Sequence, residues 1–118
     1  MNNTMNEVQG IARLKILPGK LEEFKRVQNL CMEVARTKDT GTIQYETYLN
    51  ADETECIVLE RYRDAAALME HLQNIGGLME ETLATCTASG EVCGNLPAEM
   101  KKMFEGSPVQ HFTPYLSL

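Results

Sequence analysis

The chain has 118 residues, of which 43% are hydrophobic, enough for one small globular domain with its own core. Its formal net charge of −6 disfavours nucleic acid and anionic membranes as partners, because both reward clusters of Lys and Arg that the sequence lacks. The longest apolar runs fall far short of the roughly 20 residues that span a bilayer, and the polar start MNNTMNEVQG is not typical of a signal peptide. We therefore expect a soluble, cytoplasmic protein.

The first half of the chain predicts a strand, a helix and a second strand. Apolar and polar side chains alternate over residues 8–17, as in a strand, and a Pro-Gly pair ends that pattern. Over residues 21–35 the apolar positions recur every three or four residues, which is typical of a helix with one buried stripe. Alternation returns over residues 42–49, where Tyr45 shares a face with Ile43.

A polar turn over residues 50–55 joins this strand to another over 56–63, as in a β-hairpin with a longer loop. Four side chains share one face of the returning strand: Cys56, Val58, Glu60 and Tyr62. Asp64 then has the position of an N-cap for a helix over residues 65–73, which carries His71. Because the neighbours of Glu60 on its face are apolar, its carboxylate either pairs with His71 or an Arg, or is desolvated with a raised pKa.

The second half predicts four shorter elements. After a break at residues 74–77, a short helix over 78–84 leads into an alternating segment over 85–96, whose small residues suggest a bulged or closely approached strand. Pro97 then opens a helix that reaches residue 104. The last extended segment covers residues 109–116 and contains His111, for which we expect a structural or exposed position.

This order of elements predicts an α+β fold, the ferredoxin-like split β-α-β arrangement of an antiparallel sheet with helices on one face. We treat residues 1–118 as one domain with a C-terminal extension over 97–118. The helices cover only one side of such a sheet, yet Ile11, Ile57 and Leu59 belong to faces that cannot all turn towards them. A second copy packed sheet to sheet would bury these residues, so we expect a homodimer.

The four cysteines are predicted to be reduced thiols. Cys31, Cys56, Cys86 and Cys93 form no CxxC pair, and their spacing fits no zinc module. The chain has only two histidines, so no metal site is expected. The thiols are interpreted as small hydrophobic side chains of a protein kept in a reducing compartment.

Four segments of the chain resemble a known family: KILPGKLEEF, GTIQYETY, VLERYRDAAALMEH and ASGEV. They are similar to the antibiotic biosynthesis monooxygenase domain, a family of dimeric α+β barrels, and the resemblance covers about residues 8 to 115. Its pattern is an aromatic residue at Tyr45, Glu-Arg-aromatic at residues 60–62 and a histidine at His71. The family includes cofactor-free quinol and anthrone oxygenases, haem-degrading enzymes and an autoinducer-processing isomerase, so the resemblance indicates the fold better than the reaction.

The resemblance implies a pocket between sheet and helices lined by Tyr45, Glu60, Tyr62 and His71. We predict that His71 and Glu60 are catalytic and accept a proton from a bound hydroquinone, whose anion reacts with oxygen without metal or flavin. The two tyrosines are predicted substrate contacts, together with Cys56 on the Glu60 face and Met69 in an adaptable methionine lining. The expected ligand is a small aromatic or quinone-like molecule, and no cofactor is expected.

Less specific interpretations exist for the same residues. A helix-end histidine is often only bonded to a carboxylate or carbonyl, and Tyr45, Tyr62 and the methionines are also ordinary core residues. A haem-binding oxygenase or a small-molecule isomerase on the same scaffold is the alternative among enzymes. Haem degradation is less favoured because many relatives have Trp at the position of Tyr62 and this chain has no Trp, although His71 can serve as an axial ligand. The rival from another class is a non-catalytic ligand-binding or structural dimer.

Overall fold

A computed structural model describes residues 6–118, so part of the polar start interpreted above lies outside the described residues. Helices and strands alternate much as the sequence predicts. In chain order they are β1 (Val8–Ile16), α1 (Leu21–Lys38), β2 (Thr42–Leu49), β3 (Glu55–Tyr62), α2 (Ala65–Ile75), α3 (Leu78–Leu83), β4 (Cys86–Cys93), α4 (Ala98–Phe104) and β5 (Val109–Phe112).

The strands form one five-stranded sheet in the order β2-β3-β1-β4-β5. β1 lies in the centre and pairs antiparallel with both β3 and β4, and β2 pairs antiparallel with β3. β5 pairs parallel with β4, so the sheet is mixed and not wholly antiparallel as predicted. The difference arises because α4 forms a crossover between the last two strands, and a crossover returns the chain in the same direction.

The core lies between one face of this sheet and the helices, which confirms the α+β, ferredoxin-like fold class. Cys56, Val58 and Tyr62 are buried on one face of β3, as their spacing predicts. Tyr62 packs with Leu68 of α2 and Met100 of α4, while Phe24 of α1 packs against the β3 residues Cys56 and Val58. Three helices from different parts of the chain therefore cover the same face of the sheet.

Several local signals behave as the sequence predicts. Asp64 caps α2, since its carboxylate accepts a hydrogen bond of 2.8 Å from the backbone N–H of Ala67. Gly90 permits a close approach of strands, because a Cβ atom there would lie 2.1 Å from the carbonyl oxygen of Ile11. Two helices run further than predicted: α1 continues to Lys38 and α2 to Ile75.

The opposite face of the sheet is open to solvent in one copy of the chain. Tyr48, Ile57 and Phe112 are exposed large hydrophobic residues on or near it, with 53%, 38% and 45% of their surface accessible. Beyond β5 the chain has no regular secondary structure, and Tyr115 and Leu116 are almost fully exposed. Among residues 6–118, no helix is both long and apolar enough to cross a membrane.

Candidate functional site

A cavity of about 230 Å³ lies between the sheet and helices α1, α2 and α3. Its sheet side includes the small residues Gly10 and Ala12 on β1 and Ala88 on β4. Met79 and Leu83 of α3 contribute to the lining and are also exposed, so α3 borders the opening. The lining contains no Lys or Arg among the described residues. The cavity wall is therefore mostly apolar and has acidic side chains but, within residues 6–118, neither Lys nor Arg.

Glu60 forms part of the cavity wall from β3, where it lies opposite Gly10 of β1 and Tyr45 of β2. The hydroxyl of Tyr62, two residues further along β3, donates a hydrogen bond to Oε1 of Glu60. Burial raises the pKa of Glu60, and this effect exceeds the opposing effects of the Tyr62 hydrogen bond and of nearby His71. The site therefore favours the neutral carboxyl form of Glu60.

His71 reaches the same cavity from α2, and only 3% of its surface is accessible. Its ring packs near two aromatic neighbours, with centroid distances of 5.0 Å to Tyr45 and 5.4 Å to Tyr62. Its Nδ1 atom lies 2.6 Å from Oδ2 of Asp39. Aromatic packing and a short polar contact thus hold the imidazole in one orientation.

Asp39 is the C-cap residue of α1, and its carboxylate is fully buried. Besides contacting His71, it accepts a hydrogen bond of 2.7 Å from the hydroxyl of Thr42 and one of 2.9 Å from the side-chain amide of Asn74. Burial alone raises the pKa of Asp39, but the hydrogen bonds from Asn74, Thr42 and His71 together outweigh it and leave that pKa below its ordinary value. Asp39 is therefore a stable carboxylate anion beside the histidine.

A β-bulge brings Thr42 into this group. The register between β2 and β3 shifts between Thr42 and Gln44, so Thr42 pairs with inward-facing Tyr62 while Gln44 pairs with Arg61. Simple alternation predicts that Thr42 and Tyr45 face opposite sides of the sheet. The extra residue of the bulge places both side chains on the same, inward side. The displaced Ile43 is 47% exposed, whereas the Thr42 hydroxyl reaches Asp39.

The predicted site residues divide into two groups. His71, Glu60 and Tyr45 line the cavity, and Tyr62 is buried behind them in contact with Glu60. Cys56 and Met69 lie outside the lining, where Cys31 and Met79 are found instead. No hydrogen bond joins Glu60 to His71 within residues 6–118, because their partners are Tyr62 and Asp39.

The four cysteines are free thiols, and three of them are buried. Burial raises the pKa of Cys56 to about 11, which makes it a weak nucleophile. No group of three His, Cys, Asp or Glu side chains within residues 6–118 is arranged to hold a metal ion. The titratable side chains in the cavity wall are those of Cys31, Tyr45, Glu60, His71 and Glu91.

Comparison with known proteins identifies the family. The model of a family described as Antibiotic biosynthesis monooxygenase (ABM) matches residues 10–84, well over half of the chain. The chain belongs to the ABM family. No curated protein matches it at a significant level.

Solved structures of low sequence identity share the fold. MupZ from Pseudomonas fluorescens is 24% identical with a TM-score of 0.80, and the match covers 96% of this chain and 93% of MupZ. Rv0793 from Mycobacterium tuberculosis is 24% identical with a TM-score of 0.69, covering 78% of this chain and 97% of Rv0793. SnoaB from Streptomyces nogalater, described as a cofactor-independent oxygenase, is 16% identical with a TM-score of 0.67, covering 79% of this chain and 93% of SnoaB. The match to MupZ thus extends into the C-terminal segment that the family model leaves out.

Proposed function

We propose that this ABM-family protein is a cofactor-independent monooxygenase that acts on a small, uncharged aromatic or quinol-like metabolite. The observation that carries the proposal is an apolar cavity with two proton-transfer groups, His71 and Glu60, in its wall. Titratable groups in a cleft with a carboxyl of raised pKa are typical of sites that move protons. The family description and the likeness to SnoaB support oxygenation as the reaction that this proton transfer serves.

The size and charge of the cavity limit the substrate. Its volume of about 230 Å³ exceeds the roughly 150 Å³ of an engineered apolar cavity that binds benzene, so one ring with substituents or two fused rings fit inside. No Lys or Arg lines it, whereas Glu60 and Glu91 do, so a carboxylate or phosphate on the buried part of the ligand would be unpaired. The preferred substrate is therefore neutral and carries a hydroxyl group that can reach His71.

In the proposed reaction, His71 removes the proton from a phenolic hydroxyl of the bound ring. The resulting anion is electron-rich and transfers electrons to molecular oxygen, and the imidazolium of His71 protonates the peroxide so formed, giving a hydroperoxide at a neighbouring ring carbon that carries hydrogen. That carbon then loses its hydrogen as a proton while the O–O bond breaks, so water departs and a carbonyl group remains. One oxygen atom of O₂ is thus retained in the quinone and the other leaves as water, so no external reductant is consumed.

Glu60 has a complementary task in this reaction. A neutral carboxyl group donates a proton, and breakage of the hydroperoxide O–O bond requires a proton on the departing oxygen. Glu60 therefore serves as the acid while His71 serves as the base, and the anion of Glu60 regains a proton from the ring carbon as the carbonyl group forms. Tyr45, whose ring packs on His71, closes one side of the site.

Oxygen uptake with a panel of one-ring and two-ring hydroquinones tests this proposal. We expect uptake with at least one member, and a loss of roughly 10²- to 10⁴-fold in His71→Ala and Glu60→Gln, the range for losing an acid or base group. Glu55→Gln, which changes an exposed carboxylate on the same strand, is the matched control and should keep full activity. If His71→Ala and Glu60→Gln fold normally and keep wild-type uptake, the assigned site is wrong. Tight ligand binding without any uptake would instead favour a non-catalytic binding protein.

The proposed working form is a homodimer packed through the open sheet face. Tyr48, Ile57 and Phe112 are exposed there, and residues 107–118 contain no charged side chain. Burying these apolar groups against a second copy would remove them from water. Sedimentation equilibrium at micromolar concentration should give about twice the monomer mass of 13.2 kDa, and a stable monomer would contradict the dimer.

A further inference from the structure

We infer that Asp39 is a positioning residue that fixes the hydrogen of the neutral His71 ring on Nδ1 and leaves Nε2 as the bare nitrogen available to the cavity. The family pattern identified from the sequence includes His71 but not Asp39. The inference depends on three hydrogen bonds around Asp39 and on the place of His71 in the cavity wall.

The donors around Asp39 determine which atom carries the hydrogen. Thr42 and His71 both approach Oδ2, and Asn74 Nδ2 donates to Oδ1. A side-chain amide N–H can only donate, and a carboxylate anion can only accept. With its oxygens occupied in this way, Asp39 accepts from His71, so the hydrogen between them belongs to Nδ1.

The second ring nitrogen follows from the first. A neutral imidazole has one N–H, so a hydrogen on Nδ1 leaves the lone pair on Nε2. Nε2 has no hydrogen-bond partner among residues 6–118, and His71 contributes to the cavity wall. A ligand hydroxyl can therefore donate to this nitrogen, which is the arrangement a general base needs.

The other histidine provides an internal reference of opposite tautomer. Nε2 of His111 lies 2.8 Å from the carbonyl oxygen of Gly94, which can only accept a hydrogen bond. His111 in its neutral form therefore carries its hydrogen on Nε2. Since the chain has two histidines in all, the two rings give separate and opposite signatures.

Nitrogen-15 NMR of the imidazole rings in the full-length wild-type protein tests the inference without any substrate. Spectra recorded at rising pH, until the ring signals stop moving, should contain one neutral ring with Nδ1–H and one with Nε2–H. The signals that disappear in His111→Gln should be those of the Nε2–H ring. A His71 ring with hydrogen on Nε2, or one doubly protonated throughout the neutral range, would overturn the inference.

Two variants separate positioning from general damage to the fold. Asp39→Ala removes the acceptor, so His71 should lose its pure Nδ1–H signature and show both tautomers in exchange. Thr42→Val removes a donor to the same Oδ2 atom but leaves the carboxylate in place, so the Nδ1–H signature should persist. An unchanged His71 tautomer in folded Asp39→Ala would overturn the role of Asp39.

The consequence for turnover rests on the proposed function. There, Asp39→Ala should lower kcat by about 10²- to 10⁴-fold with little change in KM, since the ligand contacts His71 and not Asp39. Thr42→Val should lose far less. If the NMR result is as expected but His71→Ala retains full oxygen uptake, the tautomer assignment stands and the proposed reaction is wrong.

Discussion

Replacing Glu60 with Gln should make the protein more stable at neutral and alkaline pH but not in acid. Burial raises the pKa of Glu60 in the folded protein, whereas the unfolded chain has an ordinary glutamate with a pKa near 4.5. The folded state therefore holds on to a proton that the unfolded state releases as the pH rises. The stability associated with this group is fully present below pH 4.5 and is lost as the pH rises towards the folded-state pKa.

The expected size of the effect follows from the linkage. Each unit by which the folded-state pKa exceeds the unfolded value removes about 1.4 kcal/mol from the free energy of unfolding at high pH. For a chain of 118 residues, an unfolding entropy of about 2.1 cal/mol/K per residue converts that loss into about 6 °C of Tm per pKa unit. Gln avoids this loss because it has no proton to release, and its carbonyl oxygen can still accept the Tyr62 hydroxyl.

Thermal melting of wild type and Glu60→Gln in buffers from pH 4 to pH 9 measures this difference. The two Tm values should be close at pH 4, and the variant should melt several degrees higher by pH 8. Glu55→Gln, which removes a solvent-exposed carboxylate from the same strand, controls for the change in net charge. Parallel Tm curves for wild type and Glu60→Gln would mean that Glu60 is ionised in the folded protein, and its role as an acid would be wrong.

Three further results are expected. All four thiols should react with a thiol reagent after denaturation without prior reduction, and a disulfide among them would contradict the predicted reducing compartment. Hydrogen bonding lowers the pKa of Asp39 in the folded protein. The Asp39 carboxylate therefore stabilises the fold above pH 3.8, the pKa in the unfolded chain, and this stabilisation is lost as the pH falls through the lower folded-state pKa. Asp39→Asn should accordingly reduce Tm at pH 7 and match wild type only in strong acid. Ala12→Leu should fill the cavity and weaken binding of a two-ring ligand at least about tenfold, measured by calorimetry, while Lys15→Leu on the outer face of the same strand should not.

The fold could be predicted from the sequence because its main signals are local and repeat along the chain. Alternation on β3 predicted that Cys56, Val58 and Tyr62 share a buried face, and an aspartate ahead of an apolar run predicted the cap of α2 at Asp64. The extended segment over residues 109–116 was predicted, but its parallel pairing with β4 was missed, because a strand of four residues carries little periodicity. The crossover through α4 determines that β5 pairs with β4. Alternation within a strand does not indicate which strand lies next to it.

Asp39 was missed because three small deviations from regular patterns bring its partners together. α1 continues to Lys38, and α2 extends far enough to include Asn74. The bulge in β2 turns Thr42 towards the same point. Helix ends and bulges depend on tertiary contacts as much as on local propensity, so the sequence predicted His71 and Glu60 as neighbours without predicting which carboxylate bonds to the histidine.

Two buried carboxyl groups near one histidine have opposite preferences for a proton, and their local partners explain the difference. Asp39 receives hydrogen bonds from Thr42, Asn74 and His71, and these stabilise its anion. Glu60 receives one from Tyr62, and the effect of burial outweighs that bond and the nearby His71, so its neutral form is favoured. If Glu60 were the group bonded to His71, the cavity would contain a single ion pair and no separate acid. Because Asp39 takes that place from behind the ring, Glu60 and His71 are not bonded to each other, and the proposed reaction can assign delivery of a proton to Glu60 and removal of a proton to His71.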